Sequence, residues 1–186
     1  MIPQTKRQPR KDEDKMWLEL DACGIEIKLR IKGYIPSTKD DWDNQWCPCD
    51  FLFLSRDWLN YHKNDDTVLL SCEVEALEES LTKLLANKLS EVKELSFIEP
   101  DFIFILHPQS NRISDPRYGI EDIYLEWKVF FWNEGLTDNH LVVTLYRDDI
   151  KTMRDYLSQV IKTKQPMISP FVEQFRSVNS AKTTNR

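Results

Sequence analysis

The residues best placed to do chemistry are the carboxylates of the segment Lys39-Asp40-Asp41-Trp42-Asp43-Asn44-Gln45-Trp46, with Asp50 close behind. Asp40, Asp41 and Asp43 within four positions suit a hard divalent cation or an acid–base pair. The segment has no glycine turn, no EF-hand spacing and no histidine partner, so neither use is supported by its neighbours. Two other readings stay open. Trp42 and Trp46 anchor an acidic loop on the core, or aromatics beside carboxylates form a loop that grips a basic protein surface. The cysteines offer little more. Cys47-Pro48-Cys49 is a C-x-C, not the C-x-x-C of zinc or thioredoxin-like sites, and Cys23 and Cys72 do not complete a ligand spacing. Buried, reduced structural thiols are the expectation. His62, His107 and His140 stand in separate segments, and nothing local pairs any of them with Cys49 or Cys72 as a nucleophile and base.

Composition removes further classes. With 4 glycines where average usage would give about thirteen, there is no G-x-G-x-x-G and no G-x-x-x-x-G-K-[ST] cradle for phosphates. No H-E-x-x-H and no G-x-S-x-G is present either. The expectation is a protein without catalytic residues, metal or cofactor.

Charge is more informative. The 186 residues carry 25 Lys and Arg against 31 Asp and Glu, a net of −6. Residues 1–15 contribute +2 and residues 164–186 contribute +3, so residues 16–163 carry a net of −11. Both ends are polar and read as tails, the second with Ile168, Phe171, Val172 and Phe175 able to dock as a short element. The middle reads as a single acidic domain. Such a body repels nucleic acid and anionic membrane and attracts cationic partners from a distance. No segment has the apolar length of a signal peptide or a bilayer span, so a cytoplasmic location is expected. Glu75, Glu78 and Glu79 add to the acidic total from one helix face. Phe130 and Trp132 lie on the polar side of their strand's alternation, which calls for a cover or marks an exposed patch.

The elements that must position these groups follow from periodicity. Ile25, Ile27, Leu29 and Ile31 alternate with Glu26, Lys28 and Arg30, a half-buried strand; Trp17, Leu18 and Leu20 pair with it across the turn Asp21–Gly24. Phe51–Leu54 and Thr67–Leu70 are further strands. Val74, Leu77, Leu81, Leu84, Leu85 and Leu89 recur at helical steps, predicting a helix over 72–89 with Ser71 as its cap. Leu95–Phe97 and Phe102–Leu106 flank Glu99-Pro100, where the chain breaks or bends; strands over Ile123–Phe131 and Leu141–Tyr146 follow. Asp148 is expected to cap a last helix with the apolar face Ile150, Met153, Leu157, Val160 and Ile161. Strands, helix, strands, helix predicts an α+β fold, a mainly antiparallel sheet with two amphipathic helices on one face. The second half echoes the first in element order, without a visible residue repeat.

Several of these segments resemble, in order, the WapI-type immunity proteins, antidotes of bacterial contact-dependent, wall-associated toxins. Gly33-Tyr34 followed by Asp41-Trp42-Asp43-Asn44-Gln45-Trp46 is similar to the family's opening. Leu69-Leu70-Ser71-Cys72-Glu73-Val74-Glu75-Ala76-Leu77 looks like its entry into the first helix, and Glu94-Leu95-Ser96-Phe97-Ile98-Glu99-Pro100 like its central motif. Asp148-Asp149-Ile150 fits the start of the last helix. The resemblance covers residues 16–163; Cys47-Pro48-Cys49, Arg56–Lys63 and the basic amino-terminal tail depart from the pattern. It implies a non-catalytic inhibitor of a toxin domain, often a nuclease, in the cytoplasm of the producing cell. Asp40, Asp41, Asp43, Glu75, Glu78 and Glu79 would then supply steering and rim charge, and Trp42 and Trp46 packing. The reading from a different class is a regulatory or housekeeping protein-binding module on a similar scaffold with no toxin partner. A small metal-dependent hydrolase ranks below both. Oligomeric state is not fixed by the sequence.

Overall fold

The structure, a computed structural model, describes residues 16–36, 45–109, 122–133 and 135–164. Four strands, β1 (Leu18–Ala22), β2 (Ile25–Ile31), β3 (Trp46–Ser55) and β4 (Leu59–Leu70), run directly into helix α1 (Ser71–Leu85). Four more, β5 (Lys93–Ser96), β6 (Phe102–His107), β7 (Tyr124–Trp132) and β8 (Leu136–Tyr146), run directly into α2 (Arg147–Lys164). Each set forms its own antiparallel meander, in the orders β1-β2-β3-β4 and β5-β6-β7-β8. The expected α+β class and strand direction are observed, and the strands divide into two sheets rather than one. The echo in element order is complete.

Alternation explains the first sheet. Ile27, Leu29 and Ile31 point inward beside Leu18, Leu20, Phe51 and Phe53. On the outer side Lys28 pairs with Glu19 and Glu26 at 3.3 and 2.8 Å. The β1–β2 hairpin turns through Cys23 and Gly24, both at positive φ (54° and 87°), and Asp21 accepts the Gly24 N–H at 2.8 Å. β3 and β4 are far longer than the short apolar runs suggest. Two register shifts bend their pairing, and in one of them Asp65 takes φ 54° and donates its N–H to Asp50.

The inner faces of the two sheets meet through aromatic rings. Trp127 is fully buried, with ring centroids of Phe53, Phe102 and Phe104 at 5.3, 5.3 and 5.2 Å, and Phe51 meets Phe102 at 5.0 Å. Val74, Leu77, Leu81 and Leu84 of α1 and Ile150, Met153, Leu157 and Val160 of α2 complete the same core. Tyr156 of α2 accepts the Ile31 N–H at 2.7 Å, tying the second helix to the first sheet.

Both helix starts differ from the sequence expectation, and for one reason. Because each strand enters its helix without a loop, the capping position falls on the last strand residue, Leu70 or Tyr146. A carboxylate three residues on reaches back to that N–H: Glu73 at 2.8 Å, Asp149 at 3.1 Å. Ser71 is therefore not the cap; its hydroxyl and N–H both donate to the Gln45 carbonyl. Asp148 lies inside the first turn of α2, where the helix dipole favours it. The first helix also stops at Leu85, short of Leu89.

Candidate partner-binding site

The segment after β2 leaves the first sheet through Gly33, whose φ of 65° suits glycine and whose Cα faces Pro48 so closely that a Cβ would stand 3.3 Å from its Cδ. Lys32 N–H donates to the Pro48 carbonyl at 2.7 Å. Tyr34 is buried and donates its hydroxyl to Glu75 of α1 at 2.6 Å; burial, then Glu75 itself, pushes the phenol's pKa up. Residues 37–44 are outside the described residues, and with them Asp40, Asp41, Trp42 and Asp43. The chain resumes at Gln45, which is buried and whose carbonyl accepts the Ser71 N–H at 2.9 Å. Both flanks of the acidic segment are thus held against the first two turns of α1. Trp46 is the first residue of β3, half-buried opposite Leu70, and Ile35 on the other flank is 55 % exposed.

α1 presents Glu75, Glu78 and Glu79 beside these flanks. Their spacing of three and four puts them on one face. They are not equally free to meet a partner. Glu75 holds Tyr34, and Glu78 accepts the Ser158 hydroxyl of α2 at 2.5 Å and that of Thr82 at 3.3 Å. Glu79 is the most solvent-facing and pairs with Lys83 at 2.8 Å, which lowers its pKa. The described flanks of the acidic segment, Tyr34 and Gln45, therefore adjoin α1, and two of the three glutamates also brace the fold. An open depression of about 510 Å³ beside Ser158 is lined by Arg154, Asp155, Gln159 and Lys162 of α2, with Asp155 held by Arg154 at 2.7 Å.

The remaining candidates sit elsewhere. Asp50 is buried on the outer side of β3. Burial acts to raise its pKa, but bonds from Lys32, the Asp65 N–H and Arg30 outweigh this and hold it at about 2. Lys32 also pairs with Asp65, and Trp17 lies against the Arg30 guanidinium at 4.8 Å. Such a carboxylate is a structural counter-ion with no spare capacity for proton transfer. Cys47 and Cys49 are buried, and burial pushes the Cys49 thiol well up; Cys23 and Cys72 are exposed, contrary to the expectation of four buried thiols. Cys23 occupies a hairpin turn and Cys72 the outward side of the first turn of α1, positions that no apolar periodicity marks. Among the described residues no group of three or more His, Cys, Asp or Glu could hold a metal ion.

Phe130 and Trp132 are both half-buried. Phe130 packs on His140 at 5.2 Å, and the Lys63 ammonium sits 4.8 Å from the Trp132 ring. Lys63 also pairs with Asp66 and Asp101 at 2.7 and 2.8 Å, closing the seam between the sheets; burial raises the Asp101 pKa against the pull of Lys63. His107 stacks on Tyr124 at 4.1 Å.

One buried residue escapes a search for active groups altogether. Glu73, besides reaching the Leu70 N–H, accepts the Ile98 N–H at 2.9 Å through its other oxygen. It joins the start of α1 to the connection between β5 and β6, the two most distinctive segments of the sequence. A glutamate three residues into a helix after an apolar run is the local signal that could have pointed to the first bond, though not to the second.

A family model described as the immunity protein WapI-like family matches residues 17–166. The chain belongs to this family. No significant match is found among curated proteins. Membership places the chain among immunity proteins, and the family-like segments now have physical roles: Gly33-Tyr34 turns and anchors the chain, Glu73 links two motifs, and Asp149 supports the start of α2. Among the described residues no helix is long and apolar enough to cross a membrane.

Proposed function

We propose that this WapI-like protein is a non-catalytic inhibitor that binds its cognate toxin domain in the cytoplasm of the producing cell, covering the basic cleft with which that toxin, of the nuclease class, holds its substrate. The contact surface is the segment containing Asp40, Asp41, Trp42, Asp43 and Trp46 together with Glu75, Glu78 and Glu79. The observation that carries this reading is the anchoring of both flanks of the segment, through Tyr34–Glu75 and Gln45–Ser71, against the acidic face of α1. On this reading both acidic groupings act from one side of a chain whose net charge is −11 over residues 16–163. Such a lobe competes with phosphates for a cationic cleft and accelerates encounter by long-range attraction. The aromatic side chains slow release once the charges have steered the partners together. The same negative field argues against nucleic acid or an anionic membrane as the ligand.

Charge reversal tests this surface. Glu79→Lys, which spares the bonds made by Glu75 and Glu78, combined with Asp41→Lys, is expected to slow association with the toxin domain several-fold at low salt, with the difference shrinking as salt rises. Stopped-flow or surface-based association rates that match those of the unaltered protein at low salt would reject this face.

A further inference from the structure

The antiparallel pairing of the two helices sets where the chain leaves the domain. Arg147, the first residue of α2, donates to the Leu85 carbonyl at the end of α1 at 3.4 Å, and Ser158 meets Glu78 at 2.5 Å. α2 ends at Lys164, so its last turn lies level with the first turn of α1. Residues 165–186, which lie outside the described residues, thus start beside the outward face that carries Cys72, Glu75, Ala76 and Glu79. Two properties of that face suit them. It is acidic: the Glu79 side chain is 66 % exposed even with Lys83 against it, and Glu75 and Glu78 adjoin it. It is also flanked by apolar side chains left in water. Ile35 follows Tyr34, the partner of Glu75, and is 55 % exposed; Ile98, whose N–H bonds to Glu73, is 57 % exposed. Residues 165–186 carry Arg176, Lys182 and Arg186 against Glu173, a net of +2, with Phe171 and Phe175 before the first arginine.

We infer that residues 165–186 of this chain dock across the outward face of α1, their cations on Glu75, Glu78 and Glu79 and their aromatic side chains toward the exposed isoleucines. Reach is ample. Arg176 stands 12 residues beyond Lys164, a span of up to about 40 Å, whereas Glu79 is about 12 Å along α1 from Ser71. Because the segment belongs to the same chain, it competes at an effective concentration of about millimolar, and weak surface ion pairs suffice to seat it for part of the time. Lys162, exposed on α2, repels it from the outer face of α2 itself. The docked segment is an intramolecular stand-in for a cationic partner, which must displace it. The docking stands without any toxin; its role as a brake on toxin binding rests on the proposed function. A segment seated for about half to three-quarters of the time slows association of a partner by about two- to fourfold.

Paramagnetic relaxation on the full chain tests the docking without a partner. Cys47 and Cys49 are buried, so a spin label reaches Cys72 in a Cys23→Ser background, or Cys23 in a Cys72→Ser background. A label on Cys72 should broaden the amides of residues 171–182 at low salt. The broadening should fade at about 1 M salt, where the screening length is about 3 Å, and vanish when Arg176→Glu, Lys182→Glu and Arg186→Glu are combined. A label on Cys23, in the hairpin turn at the far end of β2, should leave the same amides sharp. Should the label disturb α1, modification of Cys72 by a neutral maleimide gives a second reading. Its rate is expected to be about two- to fourfold higher in the triple variant than in a control of equal charge change, Lys6→Glu with Arg7→Glu and Arg10→Glu, with Cys23 the same in both. Amides that stay sharp with Cys72 labelled, that broaden equally from Cys23, or that broaden only when the two labels sit on separate molecules would overturn the inference. Toxin association separates the docking from its consequence: the triple variant should associate about two- to fourfold faster than the control. Broadening with equal association rates would keep the docking and overturn the brake, placing the toxin's contact off this face.

Discussion

Replacing Glu73 by Gln changes one atom's chemistry at the residue that joins the two family-like motifs. The carboxylate is buried, and its two oxygens accept the Leu70 and Ile98 N–H groups at 2.8 and 2.9 Å. An amide keeps one carbonyl acceptor and turns an NH2 toward the other N–H, so one buried donor loses its partner whichever way the amide is placed. A charge-assisted hydrogen bond contributes about 1.5–3 kcal/mol, and the lost negative charge near the helix start removes about 0.3–1 kcal/mol more. A loss of about 2–3 kcal/mol is expected, which for a protein of this size lowers Tm by roughly 4–12 °C. Urea unfolding followed by tryptophan fluorescence measures the first quantity and calorimetry the second. Glu75→Gln is the control: the amide still accepts the Tyr34 hydroxyl, so its cost should stay under about 1 kcal/mol. In native-state exchange the Ile98 amide should lose protection in Glu73→Gln and keep it in Glu75→Gln. A Glu73→Gln protein within about 0.5 kcal/mol of the unaltered one, with Ile98 still protected, would refute the reasoning.

Further outcomes follow from the same contacts. Asp50 is held at about 2, below the 3.8 of a free aspartate, so its stabilising contribution is fully present above about pH 4 and is lost as pH falls toward 2. Because Arg30 and Lys32 are partly exposed, that contribution is set at about 1–2 kcal/mol, and acid unfolding of Asp50→Asn should be flatter across this window than that of the unaltered chain. Trp127 fills the centre of the core, yet its indole N–H is buried without a hydrogen-bond partner among the described residues. Trp127→Ala should cost about 3–5 kcal/mol, whereas Trp127→Phe, which also removes the unpaired N–H, should cost clearly less in the same denaturation assay. Tyr34→Phe releases one flank of the acidic segment: stability should fall by about 1 kcal/mol, and toxin affinity by several-fold more than this loss of folding explains, as read by calorimetric titration.

How far the sequence reaches depends on the range of the interaction concerned. β2 and β7 are legible because their alternation is strict, and the apolar faces of α1 and α2 because every third or fourth residue is buried. The full length of β3 and β4 is not, since the register shifts and the polar run from His62 to Thr67 interrupt the pattern that marks a strand. The partition into two sheets is set by ring contacts such as Phe51–Phe102, which no local pattern encodes. Ser71 and Asp148 are misread as caps because a cap is normally preceded by a loop, and here strands pass straight into helices. The acidic groupings are visible as charge. The bracing roles of Glu75 and Glu78 are not, because they depend on Tyr34, 41 residues away from Glu75, and on Ser158, 80 residues away from Glu78. Tyr34 and Gln45 carry no chemistry in isolation, so a search for reactive residues passes over the phenol and the main-chain carbonyl that tie the flanks of the segment down.

The most direct measurement is a titration of the purified full chain into its active cognate toxin domain, with turnover of the toxin's substrate as the readout and complex mass measured in parallel. Inhibition by the acidic lobe predicts that activity falls to zero at equimolar protein, with a complex containing both chains and no change in substrate when this protein is alone. A toxin that stays active in the presence of a bound excess, or consumption of substrate by this protein on its own, would contradict it.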